Sequence, residues 1–298
     1  MSESLTGRVA IVTGGGRGIG KDIALGLAEA GASVAITGRS ASHLDETVRE
    51  LEAIAPHPNP LPRGARGQLK ALAFPADVTD IDAIQRLIAE TESKLGPVDI
   101  MVSNAAIEGP LGPMWEVSNA EWEYCLRTNV MGGFNCAQAV LPGMTQRRSG
   151  RIIFVGSGGG LFAVPYDTGY SVTKAALIRL CEGIAIETEP YGVSCFVIHP
   201  GVVHTGMSDY CLTEEGRKWL PAYEQALERG ATPVEWASEL TNFLASGAAD
   251  GLSGCFISVN DDYRDMASRA QEIKDGDMHT LRLKTHATSR PPRIFQRG

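Results

Sequence analysis

A tyrosine and a lysine four residues apart are the residues of this chain best suited to moving a proton. Tyr170 and Lys174 occur in Gly-Tyr-Ser-Val-Thr-Lys, and Ser157 precedes Tyr170 by thirteen positions. Residues at i and i+4 of a helix share one face, so the ammonium can stand beside the phenol. Free tyrosine titrates near pH 10, and work at neutral pH needs a shift of about three units, or roughly 4 kcal/mol. The spacing predicts a general acid whose pKa the lysine lowers, with Ser157 holding the oxygen that the phenol protonates.

A glycine-rich segment near the N-terminus has the spacing of a nucleotide-binding turn. Residues 13–20 read Thr-Gly-Gly-Gly-Arg-Gly-Ile-Gly, between an apolar strand pattern and a helix with Ile23, Ala24 and Leu27 on one stripe. Such a turn lets the backbone approach a pyrophosphate, which rests on the helix N-terminus. The spacing is Gly-x-x-x-Gly-x-Gly, whereas the commoner dinucleotide pattern is Gly-x-Gly-x-x-Gly. A structural turn is the alternative, but the flanking strand and helix favour nucleotide binding.

Composition narrows the class of protein. The chain has 298 residues, 43% of them hydrophobic and 21% charged, which is ordinary for a globular protein. Its net charge of −8 argues against a nucleic-acid partner. No apolar run approaches the roughly 18 residues of a membrane span, and the N-terminus lacks the pattern of a secretory signal. Six scattered cysteines without a Cys-x-x-Cys pair indicate core residues in a reducing compartment. We expect a cytoplasmic protein without a membrane partner.

The elements that must position these residues alternate between strand and helix. Apolar strand patterns cover residues 9–12, 33–37, 70–74, 100–103, 151–155, 194–198 and 255–259. Helical spacing recurs between them, as in Ile81, Ile84, Leu87 and Ile88. This alternation is typical of a parallel sheet covered by helices on both faces. We predict an α/β fold with a doubly wound, Rossmann-like sheet of seven strands and six helices, forming a single domain over residues 1–262.

Two segments break the pattern. Residues 56–64 contain four prolines, which cannot donate to a helix or central strand, and predict an inserted surface loop. A proline-rich ligand for a partner is the less favoured interpretation. Residues 263–298 form a C-terminal tail that is too polar to build a core of its own. We expect the tail to lie across its own domain or a neighbouring subunit, with Ile294 and Phe295 as an apolar anchor.

Together these residues resemble the short-chain dehydrogenase/reductase family, in its short single-domain branch, over residues 5 to about 262. The glycine loop matches the family's cofactor loop, and Asp77-Val78 match the pair that frames the adenine. Ser103-Asn104-Ala105-Ala106 match its Asn-Asn-Ala-Gly motif imperfectly, because Ser103 replaces the first Asn and Ala106 the Gly. The remaining matches follow the family's order along the chain, and they are Asn129, Ser157, Tyr170, Lys174, Pro200, Gly201 and Thr205.

The resemblance implies an NAD(P)-dependent oxidoreductase that transfers a hydride between a nicotinamide cofactor and a ketone or secondary alcohol. Tyr170 would be the general acid in reduction and the base in oxidation. Lys174 would lower the pKa of Tyr170 and bind the nicotinamide ribose, and Asn129 would anchor a water that relays protons. A catalytically idle dinucleotide-binding regulator or scaffold is the alternative, but binding alone would not require Ser157 and Tyr170 together. A hydrolase or an epimerase fits less well.

The resemblance also assigns the cofactor-binding residues. They come from the glycine loop, the ends of the strands and the helix of Tyr170, and are Gly14, Gly16, Arg17, Gly18, Ile19, Gly20, Arg39, Asp77, Val78, Asn104, Ala105, Tyr170, Lys174, Pro200, Gly201, Val203 and Thr205. His199 and His204 have no second ligand spacing, so we expect no metal.

The end of the second strand predicts which nicotinamide cofactor is used. Gly38 occupies the position where an NAD enzyme usually carries an acid for the ribose hydroxyls. Arg39 follows, Arg17 lies in the glycine loop, and Ser40 adds a hydroxyl. A guanidinium grips a phosphate in a fork geometry. NADP is therefore expected, with NAD as the alternative.

Two further expectations concern the substrate and the assembly. Residues 202–233, between the last two strands, should cover the substrate, and their partly apolar character favours a ketone or secondary alcohol with an apolar body. Packing helices would have the same composition. The helices of Asn129 and Tyr170 form subunit interfaces in relatives, so we expect a homo-oligomer, a tetramer or a dimer. The apolar residues that could supply those faces are Met131, Phe134, Leu177, Ile178 and Leu180.

Overall fold

Seven parallel strands form one sheet in the order β3-β2-β1-β4-β5-β6-β7. The computed structural model describes residues 4–54 and 70–283. The predicted doubly wound parallel sheet is confirmed, and each strand ends within one residue of its predicted limits. The strands are β1 Val9–Thr13, β2 Ser33–Gly38, β3 Ala71–Pro75, β4 Ile100–Ser103, β5 Gly150–Val155, β6 Val193–His199 and β7 Phe256–Ser258.

Helices connect the strands, and the prediction of six helices is wrong because the described residues contain more. The extra helices have six to eight residues, too few turns for a clear 3.6-residue period. The helices are α1 Gly18–Glu29, α2 Ala41–Ala53, α3 Ile81–Lys94, α4 Asn119–Leu126, α5 Gly132–Arg147, α6 Thr168–Thr188, α7 Gly206–Cys211, α8 Glu214–Trp219, α9 Pro221–Glu228, α10 Glu235–Ser246, α11 Tyr263–Ser268 and α12 Ala270–Asp275. No helix in the described ranges is long and apolar enough to span a membrane.

Alternate residues of each strand point to opposite faces of the sheet, and both faces carry a hydrophobic core. Val12 packs with Leu27 of α1 and Leu240 of α10 on one face. Ile11, its neighbour in sequence, packs with Leu87 of α3 and Ile178 of α6 on the other. A strand buried on both faces reads as an unbroken apolar run, which explains why the strands could be predicted.

The strand order reverses direction between β1 and β4, which are neighbours at the centre of the sheet. Chain segments leaving the carboxyl ends of these two strands diverge and leave a crevice between them. The glycine loop follows β1 at this edge, and the segment of Asn104 follows β4. The topology therefore brings the two predicted cofactor motifs to one place.

The described part of the C-terminal tail packs on its own chain. Met266 of α11 and Ile273 of α12 are buried in the same core as Leu27. Farther along, Phe256 of β7 donates its backbone N–H to the carbonyl oxygen of His279, at 2.8 Å. Arg282 forms an ion pair with Glu182 of α6. The proline-rich segment 56–64 and the expected anchor Ile294-Phe295 lie outside the described residues, and the boundary at residue 262 stays a prediction.

One expectation about the subunit interface is wrong. Leu177 and Ile178 of α6 belong to the core under the sheet, where they are 3% and 1% exposed. Helix α6 carries apolar residues on more than one side, so its sequence does not tell which of them face inward. The exposed large apolar residues of this region are instead Met131 before α5, Phe134 of α5, and Val172 and Ile186 of α6.

Candidate active site

The glycine loop is locked to the segment after β4 by hydrogen bonds. Thr13 Oγ1 accepts from the backbone N–H groups of Asn104 and Ala105, each at 3.0 Å. Asn104 Nδ2 donates to the Thr13 carbonyl oxygen at 2.9 Å. Gly14 has a positive φ of 66°, and a Cβ built on Gly20 would lie 2.3 Å from Asn104 Nδ2. Only glycine fits such a close approach, so the loop's sequence fixes its shape.

A cavity of about 640 Å³ opens beside this loop. Helix α1 points its N-terminus at the cavity, and its N-cap residue Arg17 makes no side-chain capping bond. The first N–H groups of α1 are thus left for a ligand, and the helix dipole favours an anion there. These features fit a pyrophosphate. The predicted cofactor residues that line the cavity are Gly14, Gly16, Arg17, Gly18, Ile19, Gly20, Arg39, Asp77, Val78, Asn104, Ala105 and Thr205.

The other predicted cofactor residues do not line this cavity within the described part of the chain. Gly201 has a φ of +79°, and a Cβ there would lie 2.2 Å from Thr232 Oγ1. Val203 is buried, and Pro200 precedes Gly201 at the end of β6. Their role in binding stays a prediction, as does that of Tyr170 and Lys174.

Asn129 lies in a π-helical turn, Arg127–Met131, between α4 and α5. Its Oδ1 accepts from the backbone N–H of Ile107 at 2.9 Å, and its Nδ2 donates to the Ile107 carbonyl oxygen at 2.9 Å. The same Nδ2 donates to Thr173 Oγ1 at 3.0 Å. π-Helical turns are rare and recur at functional sites. Here the turn lets one buried amide join the segment after β4 to helix α6.

Ser157, Tyr170 and Lys174 are brought together by β5 and α6. Helix α6 begins at Thr168, so Tyr170 and Lys174 lie one turn apart on it, while Ser157 follows β5. The Lys174 ammonium lies 5.2 Å from the centre of the Tyr170 ring and donates to the Val155 carbonyl oxygen at 2.8 Å. Ser157 and Tyr170 share a side-chain hydrogen bond. Burial lowers the pKa of Lys174 to about 8.

The expected lowering of the Tyr170 pKa is wrong for this arrangement. Burial raises the pKa of Tyr170 well above its ordinary value, and the nearby Glu108 carboxyl raises it further. The hydrogen bond with Ser157 acts in the opposite direction. A negative charge next to the phenol disfavours the tyrosinate. The helical spacing of Tyr170 and Lys174 is visible in the sequence, whereas the buried carboxyls that share the site come from distant segments of the chain.

Those carboxyls belong to Glu108, after β4, and Asp167, immediately before α6. They hydrogen-bond to each other, and burial raises the pKa of Glu108 to about 7 and that of Asp167 to about 8. Glu108 further raises the pKa of Asp167, while Lys174 lowers that of Glu108. The pair therefore keeps a proton at neutral pH. Asp167 directly precedes α6 and makes no side-chain capping bond, and no local sequence pattern joins it to Glu108.

This carboxyl pair predicts a loss of stability with rising pH. Both groups titrate above their ordinary values in the folded chain, which therefore binds more protons than the unfolded chain. Their stabilising contribution is complete below their ordinary pKa values and is lost as the pH rises through about 7 and 8. We expect Tm to fall between pH 5 and 8 in the wild type, and to fall less steeply in Glu108→Gln, as measured by calorimetry.

The matched control for that measurement is Glu123→Gln, which removes an exposed carboxylate from α4. Its Tm should fall with pH as steeply as that of the wild type. Parallel curves for the wild type and Glu108→Gln would show that the carboxyl pair does not hold the extra proton.

The predicted covering segment, residues 202–233, contacts the loops around this site. Met207 and Tyr210 of α7 line the cavity, and the Tyr210 hydroxyl bonds the backbone of Leu111. The Trp219 ring lies 4.7 Å from that of Tyr166, which precedes α6. This segment thus brings Met207 and Tyr210, together with Thr205, to the cavity wall, and its role in covering the substrate stays a prediction.

The described residues contain no group of three His, Cys, Asp or Glu side chains that could hold a metal ion. Six free cysteines are all buried. Two of them border the site, because Cys125 Sγ accepts from Asn129 Nδ2 at 3.4 Å and Cys211 ends α7. Burial raises the pKa of both thiols to about 12.

Comparison with known proteins identifies relatives for most of the chain. The family model described as short chain dehydrogenase matches residues 8–216. Gluconate 5-dehydrogenase of Gluconobacter oxydans is 34% identical over 86% of this chain and 94% of its own length. The 3-oxoacyl-[acyl-carrier-protein] reductase of Staphylococcus aureus is 32% identical over 84% of this chain and 96% of its own. A dehydrogenase/reductase structure from Sinorhizobium meliloti superposes with a TM-score of 0.72 at 30% identity, covering 87% of this chain and 98% of that one.

Proposed function

Because this chain belongs to the short-chain dehydrogenase/reductase family and is an NAD(P)-dependent oxidoreductase of CH–OH groups, we propose that Tyr170, Ser157, Lys174 and Asn129 carry its reaction. When bound, the nicotinamide cofactor gives or takes the hydride. Tyr170 gives the proton to the carbonyl oxygen of a ketone in reduction, and takes it from a secondary alcohol in oxidation. Ser157, which hydrogen-bonds the Tyr170 hydroxyl, holds the same substrate oxygen.

Lys174 and Asn129 support that proton transfer. The Lys174 ammonium is buried beside the Tyr170 ring and offers its remaining N–H groups to the ribose of the cofactor. Asn129 holds the backbone of Ile107 next to Glu108 and ties it to α6. This amide keeps the segment after β4 at a fixed distance from Tyr170. By resemblance to the family, we also propose that Asn129 anchors a water molecule that relays protons.

The observation that carries the proposal is the meeting of Ser157, Tyr170 and Lys174, from β5 and α6, beside a cavity that fits a dinucleotide. A panel of ketones and secondary alcohols, followed by the absorbance of the reduced cofactor, tests it. Turnover of members of the panel is expected. Cofactor binding without turnover of any substrate would instead favour the idle regulator.

We propose NADP(H) as the cofactor, because two guanidinium groups line the cavity and the end of β2 carries no carboxylate. Arg17 and Arg39 both line the cavity, together with Ser40. Arg39 Nη1 donates to the Tyr124 hydroxyl at 2.7 Å, which holds this otherwise exposed side chain near the cavity. Gly38 ends β2 and offers no carboxylate that would repel a 2′-phosphate. NAD is the alternative.

The expected result is a kcat/KM at least tenfold higher with NADPH than with NADH. Two contacts to the 2′-phosphate, of about 1.5 to 3 kcal/mol each, supply this difference even though solvent weakens the contacts of exposed side chains. Arg39→Ala should lose most of the preference. Arg49→Ala, which removes an exposed guanidinium from α2 outside the cavity wall, should keep it. A wild type that prefers NADH, or an unchanged preference in Arg39→Ala, would overturn the assignment.

We further propose that the chain acts as a homo-oligomer, a tetramer or a dimer, in the cytoplasm. Met131, Phe134 and Val172 are 47%, 38% and 46% exposed, which supports an apolar contact made by the start of α5, the residue before it and α6. Six free thiols support a reducing compartment.

A further inference from the structure

We propose that Glu108 selects substrates that carry a second hydroxyl next to the reacting carbon, by accepting a hydrogen bond from that hydroxyl, and that Asp167 positions Glu108 for this task. The substrates would be α-hydroxy ketones in reduction and vicinal diols in oxidation. The inference rests on the proposed function. The reacting carbon is defined there as the one whose oxygen contacts Tyr170, and the second hydroxyl is on the carbon next to it.

Glu108 is placed to reach the substrate. It lines the cavity with Gly109 and Pro110, and it keeps part of its surface exposed. Its carboxyl is close enough to Tyr170 to raise the pKa of the phenol. The next residue, Gly109, packs against the start of α6, because a Cβ built on it would lie 3.1 Å from the backbone nitrogen of Tyr170. We infer that Glu108 adjoins the space for the substrate carbons next to the carbonyl. The backbone of the preceding residue, Ile107, is fixed by both amide atoms of Asn129.

Asp167 fixes the Glu108 side chain. It is 4% exposed, hydrogen-bonds Glu108, and directly precedes the helix that carries Tyr170. Its Oδ1 is buried and has no hydrogen-bond partner among the described residues. Asp167 therefore couples the orientation of Glu108 to the start of α6.

The charge of the Glu108–Asp167 pair and its surroundings favours a hydroxyl over an ammonium as the substrate group that donates to Glu108. The pair retains one proton near neutral pH and so carries about one negative charge. Lys174 is the buried cation that acts on Glu108, and it balances that charge. The other titratable groups that act on the pair or feel its charge are neutral thiols and phenols, namely Cys125, Tyr170, Cys211, Tyr210 and Tyr223. A neutral donor adds no second buried charge.

Matched substrates that differ by one hydroxyl test the proposal. Cyclohexanone against 2-hydroxycyclohexanone, and cyclohexanol against trans-cyclohexane-1,2-diol, are compared by kcat/KM. The wild type should prefer the hydroxylated member of each pair about ten- to hundredfold, because a hydrogen bond to a charged group is among the stronger ones. The ratio cancels effects on hydride transfer that both substrates share.

The preference should fall about tenfold in Glu108→Gln, whose amide is an uncharged acceptor, and vanish in Glu108→Leu. Glu123→Gln, an exposed carboxylate on α4, should keep it. In the wild type the preference should grow as the pH rises through about 7, where Glu108 loses its proton. Asp167→Leu, which removes the hydrogen bond that lowers the pKa of Glu108, should move this midpoint to higher pH. A purely structural role of Asp167 would leave the midpoint unchanged.

Turnover of simple ketones and alcohols with no hydroxyl preference, or a preference that survives in Glu108→Leu, overturns this inference and leaves the proposed function standing. An unmoved midpoint in Asp167→Leu overturns the positioning role. Failure to turn over any member of either pair, in a folded wild type that binds the cofactor, overturns the inference and counts against the proposed function. Far-UV circular dichroism of each variant shows that it is folded.

Discussion

Replacing Tyr170 by Phe is expected to lower kcat by about 10² to 10⁴, the range typical of a lost general acid–base group. The ring volume stays, but the hydroxyl that gives and takes the proton is gone, and Ser157 keeps only its bond from the Gly159 backbone N–H. Phe contacts the Lys174 ammonium through the same ring face, so the cofactor should still bind. Steady-state rates and cofactor titration by fluorescence separate the two effects.

Tyr191→Phe is the matched control for this change. Tyr191 lies beyond the end of α6 and is 45% exposed, so removing its hydroxyl should leave kcat unchanged. A Tyr170→Phe protein that turns over within twofold of the wild type would remove Tyr170 from the mechanism. A Tyr170→Phe protein that no longer binds the cofactor and has a lower Tm would point instead to a structural role of Tyr170 in the site.

Adding a single methyl group at Gly20 is expected to weaken cofactor binding by about five- to hundredfold. The Cβ of Gly20→Ala would lie 2.3 Å from Asn104 Nδ2 and 2.4 Å from the Gly14 carbonyl oxygen. The glycine loop and the segment after β4 must move apart to admit it, at a cost of about 1–3 kcal/mol. Titration with NADPH, together with Tm, measures the effect on the cavity and on the fold.

Gly183→Ala, in the middle of α6, is the matched control. A Cβ there meets no atom within 4 Å, so the substitution should leave cofactor affinity unchanged. It should stabilise the fold slightly, because alanine loses less backbone freedom than glycine on folding. Equal affinities for the wild type and Gly20→Ala would mean that the loop tolerates a shape other than the one in the structure.

The sheet and the cofactor loop could be predicted from sequence because their signals are local. Val12 and its neighbours form one apolar run, since the strand is buried on both faces. The turn after it requires glycine at Gly14 and Gly20, where the backbone or the neighbouring Asn104 leaves no room for a side chain. Tyr170 and Lys174 are joined by the pitch of one helix. Each of these features needs only a short stretch of chain to be recognised.

Other parts of the site depend on contacts between distant segments. Glu108 meets Asp167 only because the segment after β4 packs against the start of α6. Burial raises the pKa of Tyr170, and this contact places the Glu108 carboxyl where it raises that pKa further, opposite to the direction expected from the lysine on the same helix. Leu177 and Ile178 illustrate the same limit, since the apolar pattern of α6 does not tell which side faces the sheet. The covering helices α7 to α9 were too short to be recognised.

The reaction of the six buried thiols with an alkylating reagent can report how often each part of the protein opens to solvent. A thiol reacts with an alkylating reagent as the exposed thiolate, and here burial raises the pKa of Cys125, Cys136 and Cys211 to about 12. Alkylation therefore requires a local or global opening that admits reagent and water. Cys211 on α7 would then react at the frequency with which the covering segment lifts, and Cys136 on α5 only when the core itself opens. Mass spectrometry of partly labelled protein could thus resolve the motions of the two regions without any introduced probe.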